Sequence, residues 1–119
     1  MKIKKWCIYR ANLEPIIGSE QGKSRPVIVI SEDIINDLLN SVTVLPITTR
    51  KNGRILYPNE SLLIPNNVNG VSNESIVLCH QIRTLDKQRL SLEYGFIGEP
   101  IIQNEIMDAL CFQLGIERY

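Results

Sequence analysis

A chain of 119 residues, 44% of them apolar and with no net charge, is one domain by size and can bury a core without covalent staples. Cys7, Cys79 and Cys111 are odd in number and far apart, which excludes a disulfide framework and fits reduced side chains of a cytoplasmic protein. The one histidine, His80, has no C-x-x-C or H-x-x-x-H partner, so neither a metal nor another cofactor is expected.

In chain order, the basic start MKIKK runs into Trp6 and polar sequence, so it does not read as a signal peptide, and no later apolar run reaches membrane-span length. Segments rich in Val, Ile, Thr and Tyr then recur at Lys5 to Leu13, Val27 to Ser31, Val42 to Thr48, Ser61 to Ile64, Ser75 to Cys79 and Leu92 to Ile97. Turn-prone patches separate them, among them Lys51-Asn52-Gly53, Pro65-Asn66-Asn67 and Asn69-Gly70. Short strands at this spacing predict a mainly β fold, a small antiparallel barrel or a strongly bent sheet. Pro46 cannot donate to a ladder, which predicts an edge or a bulge at that strand. After Gly98, the positions Ile102, Ile106, Ala109, Leu110 and Leu114 recur at three- and four-residue steps. With Pro100 in the first turn and Gly115 after the last, they predict a C-terminal helix of about four turns.

Charge is unevenly placed. Up to Arg54 there are nine basic residues against five acids, and beyond it four against eight. A neutral chain does not bind nucleic acid indiscriminately, yet its basic half can supply a phosphate-contacting face. The stretch GSEQGKSRP, Gly18 to Pro26, looks at first like a nucleotide loop. Only three residues separate its glycines, Glu20 puts a negative charge in the supposed cradle, and a β-branched strand follows where a helix should open. Nucleotide binding is excluded on those grounds.

The pieces GSEQGKSRPVIVIS, VLPITT and CHQIRTLDKQRL, followed by a terminal helix, resemble in that order the MazF/PemK toxin ribonucleases over nearly the whole chain. The resemblance implies an SH3-like barrel with a C-terminal helix and a homodimer. It also implies metal-independent cleavage of single-stranded RNA at a short sequence, and neutralisation by a MazE-type antitoxin. Operator DNA would be bound only through the antitoxin complex, since the chain has no helix-turn-helix of its own. The barrel is also similar to that of the CcdB gyrase poisons, and a catalytically silent antitoxin-binding partner is a third class; Arg25 and Thr48 favour the ribonuclease.

By resemblance, Arg25 is the catalytic arginine, Thr48 its partner and Glu20 a further site residue. Cleavage by the neighbouring 2′-hydroxyl needs a proton removed, charge held on the phosphoryl oxygens and a proton given to the leaving 5′-oxygen. A guanidinium holds such charge through a planar fork of donors but is a very poor base. Arg25 is therefore read as electrostatic stabiliser and Thr48 as donor to a phosphoryl oxygen. Glu20 is read either as the base or as a partner of Lys23 or Arg25 that orders the loop. Gln81 resembles an RNA-contacting residue, and its other reading is a satisfied polar group at a strand end. Lys23, Gln21, Thr49 and Arg50 complete the RNA-binding candidates, with Tyr57 as a base-stacking ring. Arg83, Asp86, Lys87 and Arg89 read as a surface salt-bridge group or dimer contact. Where the family usually has Arg-Gly-Asp or Arg-Gly-Glu before its first strand, this chain has Lys5, Trp6 and Cys7.

Overall fold

An apolar run with no polar interruption needs cover on both faces of its strand, and Val27-Ile28-Val29 obtains it. Ile28 packs into one core with Ile8, Leu45, Ile47 and Ile106. Val27 and Val29 pack into a second core on the opposite face with Tyr9, Val42, Val44 and Leu85. The computed structural model describes residues 1–118 in the order β1 (Cys7–Asn12), β2 (Ser24–Val29), α1 (Asp33–Leu38), β3 (Ser41–Thr49), β4 (Glu60–Leu63), β5 (Ser75–Leu78), β6 (Arg83–Asp86), β7 (Leu90–Phe96) and α2 (Pro100–Leu114). The strands form one antiparallel sheet in the order β4-β5-β3-β2-β1-β7, with β6 beside the first half of β3.

The mainly β expectation therefore holds, in its bent-sheet form. The long strand β3 makes the bend by changing partners, pairing with β6 through Ser41–Val44 and with β5 through Ile47–Thr49. The C-terminal helix lays Ile106, Ala109 and Leu110 on the first core. Pro100 sits in its first turn, and Gly115 ends it in the left-handed region at φ 69°, as the sequence predicts.

Three local outcomes differ from the sequence reading. Pro46 is in an inner strand and not at an edge, but it lies at an interruption of the ladder, where β3 passes from β6 to β5 and residues 78–82 of the facing chain stand against Leu45 and Pro46 alone. The bond from Arg50 N–H to the Glu74 carbonyl sets the alternation of that ladder, and it places the N–H that proline lacks just beyond the last β3–β5 pair. Helix α1 appears where none was predicted. Its buried residue is polar: the Asn36 side chain accepts from the Ser31 hydroxyl at 2.5 Å and donates to the Ser31 carbonyl at 2.8 Å, while Ile34 and Leu38 face solvent. The Arg83 to Arg89 group is no salt-bridge cluster among the described residues. Arg83–Asp86 is strand β6, Arg83 donates to the Leu13 carbonyl, and Arg89 donates to the carbonyls of Asn12 and Glu14.

At the departure noted above, Trp6 takes φ 70°, the left-handed backbone that glycine adopts freely and other residues at a cost of about 1 kcal/mol or more. Its N–H donates to the Val29 carbonyl at 2.7 Å and its own carbonyl accepts from Ile97. The strand entry is kept although the glycine is not, and the indole packs against the first core.

Candidate active site

Strands β2 and β3 are hydrogen-bonded only as far as the pair Val27 and Pro46. The Ile30 N–H to Thr43 carbonyl bond fixes the alternation, and it turns the missing N–H of Pro26 toward β3. The ladder stops there. Continuing its register two residues further would set Arg25 opposite Thr48 on one face, so the two side chains meet across a gap instead of a ladder. That gap is a cleft of about 300 Å³, lined by Lys23, Ser24, Arg25, Thr48, Thr49 and Ser75 among others.

Arg25 is half-buried, and its Nε donates to the Gly22 carbonyl at 3.0 Å. One edge of the guanidinium is thereby tied to the loop, and among the described residues its Nη groups have no carboxylate partner. Lys23, just before it, takes φ 62°. This left-handed residue turns the chain from the loop into β2, and its own N–H donates to Glu14 Oε1 at 2.7 Å. On the other wall Thr48 pairs with Ile76 of β5, which leaves the backbone N–H of Thr49 on the cleft side. A guanidinium, a hydroxyl and a backbone N–H thus converge with no acid in the cleft lining. Such a set accepts an anion and stabilises charge that develops on it.

Glu20 is not in this cleft. It lines a second hollow on the other side of Arg25, with Glu14, Gln21 and Lys23. Its carboxylate accepts the Ile17 N–H at 2.7 Å, and it forms no ion pair with Lys23 or Arg25 among the described residues. It orders the loop through that backbone bond. Gly22 lies close under the Glu14 and Ile16 side chains: a Cβ there would meet Glu14 Oε1 at 2.8 Å and Ile16 at 2.9 Å.

Gln81 reaches the site indirectly. Its Oε1 accepts the Gln21 N–H at 3.2 Å and its Nε2 donates to the Ser19 carbonyl at 3.5 Å, so both ends of the amide staple the Ser19–Gln21 loop. Arg50 and Tyr57 do not line the cleft. Arg50 donates to the Arg54 carbonyl and pairs with Glu74 at 2.7 Å. Arg54 lies 5.3 Å from the centre of the exposed Tyr57 ring and pairs with the buried Glu60 at 2.8 Å. Burial pushes the Glu60 carboxyl up, but the Arg54 guanidinium and the Tyr57 N–H outweigh it and hold it below the usual carboxylate range. Ser75 of the cleft wall was not singled out from the sequence, where it reads only as the first residue of a strand.

Residues 4–116 match the family of PemK-like, MazF-like toxins of type II toxin-antitoxin systems. Among solved structures, MazF from Deinococcus radiodurans is 28% identical with a TM-score of 0.80, covering 98% of this chain and 99% of that one. A MazE-MazF structure from the same organism is 28% identical with a TM-score of 0.72 over 98% and 99% of the two chains. The Mycobacterium tuberculosis toxin MazF-mt6, 24% identical over 94% of this chain and 99% of its own with a TM-score of 0.75, shares the fold. With its matched span, its strand order and its terminal helix in agreement, the chain belongs to the PemK-like, MazF-like toxin family.

Proposed function

We propose that the chain is an endoribonuclease of a toxin-antitoxin pair that cuts single-stranded mRNA by attack of a 2′-hydroxyl on the adjacent phosphate. The products are a 2′,3′-cyclic phosphate and a 5′-hydroxyl, and the reaction needs no metal. The observation that carries the reading is the stopped β2–β3 ladder, which holds Arg25 and Thr48 on opposite walls of a cleft without acids. Arg25 stabilises the phosphorane charge and Thr48 donates to a phosphoryl oxygen. Lys23, Gln21 and Thr49 flank the backbone path, with Arg50 and Tyr57 further out. Gln81 supports the loop and thereby the RNA face. Glu20 has two roles to be told apart, base or staple of the loop through Ile17.

The second partner is an antitoxin of MazE type, the kind of complex formed by the Deinococcus relative; any contact with operator DNA would come through it. A homodimer is supported by Ile101, Phe112 and Leu114, which α2 leaves exposed.

Incubating the protein with a long unstructured RNA in EDTA and mapping the new ends tests the reading. Wild type should cut at one short motif. Arg25→Ala should lose at least hundreds-fold in rate, about 3–4 kcal/mol in the barrier, with its unfolding midpoint little changed. In the same assay, Glu20→Gln separates base from staple: a large loss of rate at unchanged stability assigns the base, and lost stability with retained rate assigns the staple. RNA left intact by wild type would favour the gyrase-type or silent-partner class.

A further inference from the structure

Next to the cleft, and sharing Pro26, Thr49 and Ser75 with it, lies another cavity of about 230 Å³. Its floor is apolar, made by Ile8, Val71 and the half-buried ring of Tyr94. Its rim is polar and uncharged, made by Thr49, Ser72 and Asn73. Among the described residues the Thr49 and Ser72 hydroxyls, the Asn73 amide and the Tyr94 hydroxyl make no hydrogen bond to the protein. They stand ready for another partner.

The wall that carries Ser72 and Asn73 is built to stay in place. The buried Asn69 donates to the Ile64 carbonyl at 2.9 Å, and its Oδ1 accepts the N–H groups of Asn66 and Val71. Asn66 Oδ1 accepts those of Val68 and Asn69, each at 2.8 Å. Two glycines let this loop lie against β7: a Cβ on Gly70 would meet the Tyr94 carbonyl oxygen at 2.1 Å, and one on Gly95 the Val68 carbonyl oxygen at 2.2 Å. The Ser75 hydroxyl donates to the Asn73 carbonyl at 2.7 Å, fixing that peptide.

We propose that this cavity is a nucleobase subsite that receives the base flanking the phosphate held by Arg25 and Thr48, and that Asn73 and Ser72 read its edge. The proposal rests on the ribonuclease reading above. Shape and chemistry both point to a base. The cavity is below the size that takes a drug-sized ligand and suits one flat heterocycle, with an aromatic ring and aliphatic groups for its faces and amide and hydroxyl groups for its edge. No charged side chain lines it, so it does not suit a second phosphate or an acidic peptide. A carboxamide that donates and accepts at once is the side chain best matched to a base edge carrying both kinds of group.

The test maps cuts on a random-sequence RNA pool with wild type, Asn73→Asp and Ser72→Ala, each checked for an unchanged unfolding midpoint. Asn73→Asp replaces two donors by an acceptor in the same shape. It should change the relative cutting of the four bases at one position beside the cut by about 10-fold or more, and Ser72→Ala should shift the same position. Base preferences unchanged at every position would overturn the subsite while leaving the ribonuclease reading intact. If wild type leaves the pool uncut, the ribonuclease reading fails by itself. An all-2′-deoxy oligonucleotide is then titrated while the Asn73 amide and Tyr94 ring resonances are followed: shifts lost on replacing its bases by abasic sites support the subsite, and no shift overturns it.

Discussion

Two loops flank the cleft and are held in opposite ways. The 13–23 loop between β1 and β2 is exposed from Glu14 to Glu20. Its backbone is held by side chains, from Glu14, Glu20 and Gln81 and from Arg25, Arg83 and Arg89 outside it, and it turns on left-handed Gly18 and Lys23. The 64–73 loop between β4 and β5 buries Asn69, satisfies its own backbone through Asn66 and Asn69, and presses against β7 at two glycines. Of the two, the first loop carries Glu14, Glu20 and Lys23, while the part of the second from Ile64 to Asn73 carries no charged side chain. An exposed segment held by side chains can open to admit a strand or a partner, whereas a segment that selects among bases gains from rigidity. The difference teaches that admission and selection are assigned to separate pieces of chain.

Three substitutions bear on that contrast. Gly95→Ala should do most, because its Cβ would fall on a backbone carbonyl that cannot swing aside; we expect a loss of about 3 kcal/mol or more, measured by chemical denaturation. A neutral outcome would mean that the 64–73 loop yields easily, and the contrast would collapse. Asn69→Ala leaves the Ile64 carbonyl and the N–H groups of Asn66 and Val71 without their partner. A loss of about 2–3 kcal/mol follows, and amide exchange should accelerate from Asn66 to Asn73 while residues 14–22 stay as they were. Gln81→Ala should cost least, about 1 kcal/mol or below, with faster exchange confined to Ser19–Gln21. Equal penalties for Asn69→Ala and Gln81→Ala would show that the two loops are anchored alike.

Most of the fold was legible in the sequence where burial follows a simple period. The apolar steps of α2 and the β-branched runs of β2, β3 and β5 are cases where the side chains that pack are also the ones that signal. Helix α1 escaped because the residue it buries is Asn36 and the residues it exposes are Ile34 and Leu38, the reverse of an amphipathic pattern. Strand β6 escaped because only Leu85 of Arg-Thr-Leu-Asp is buried. At the site, Arg25 and Thr48 were drawn from the resemblance, and both line the cleft where the β2–β3 ladder stops. Tyr57 and Arg50 were drawn from residue type and nearness in sequence; the 50–58 loop carries them away from the cleft. Ser72, Asn73 and Tyr94 gave no signal, since a pocket rim assembled from a turn and a distant strand has no period to read.

The proline that ends the β2–β3 ladder, Pro26, also governs what can attach to this sheet. A strand edge normally offers alternating donors and acceptors to any extended peptide, its own copies included. Along the opened edge of β2 the donor that should meet such a peptide is absent at Pro26. An extended segment laid there cannot continue the sheet and has to be held by its side chains and phosphates. The seam can stay open beside a substrate without inviting another chain to zip onto it, and one imino acid thereby protects this exposed edge from strand-by-strand aggregation.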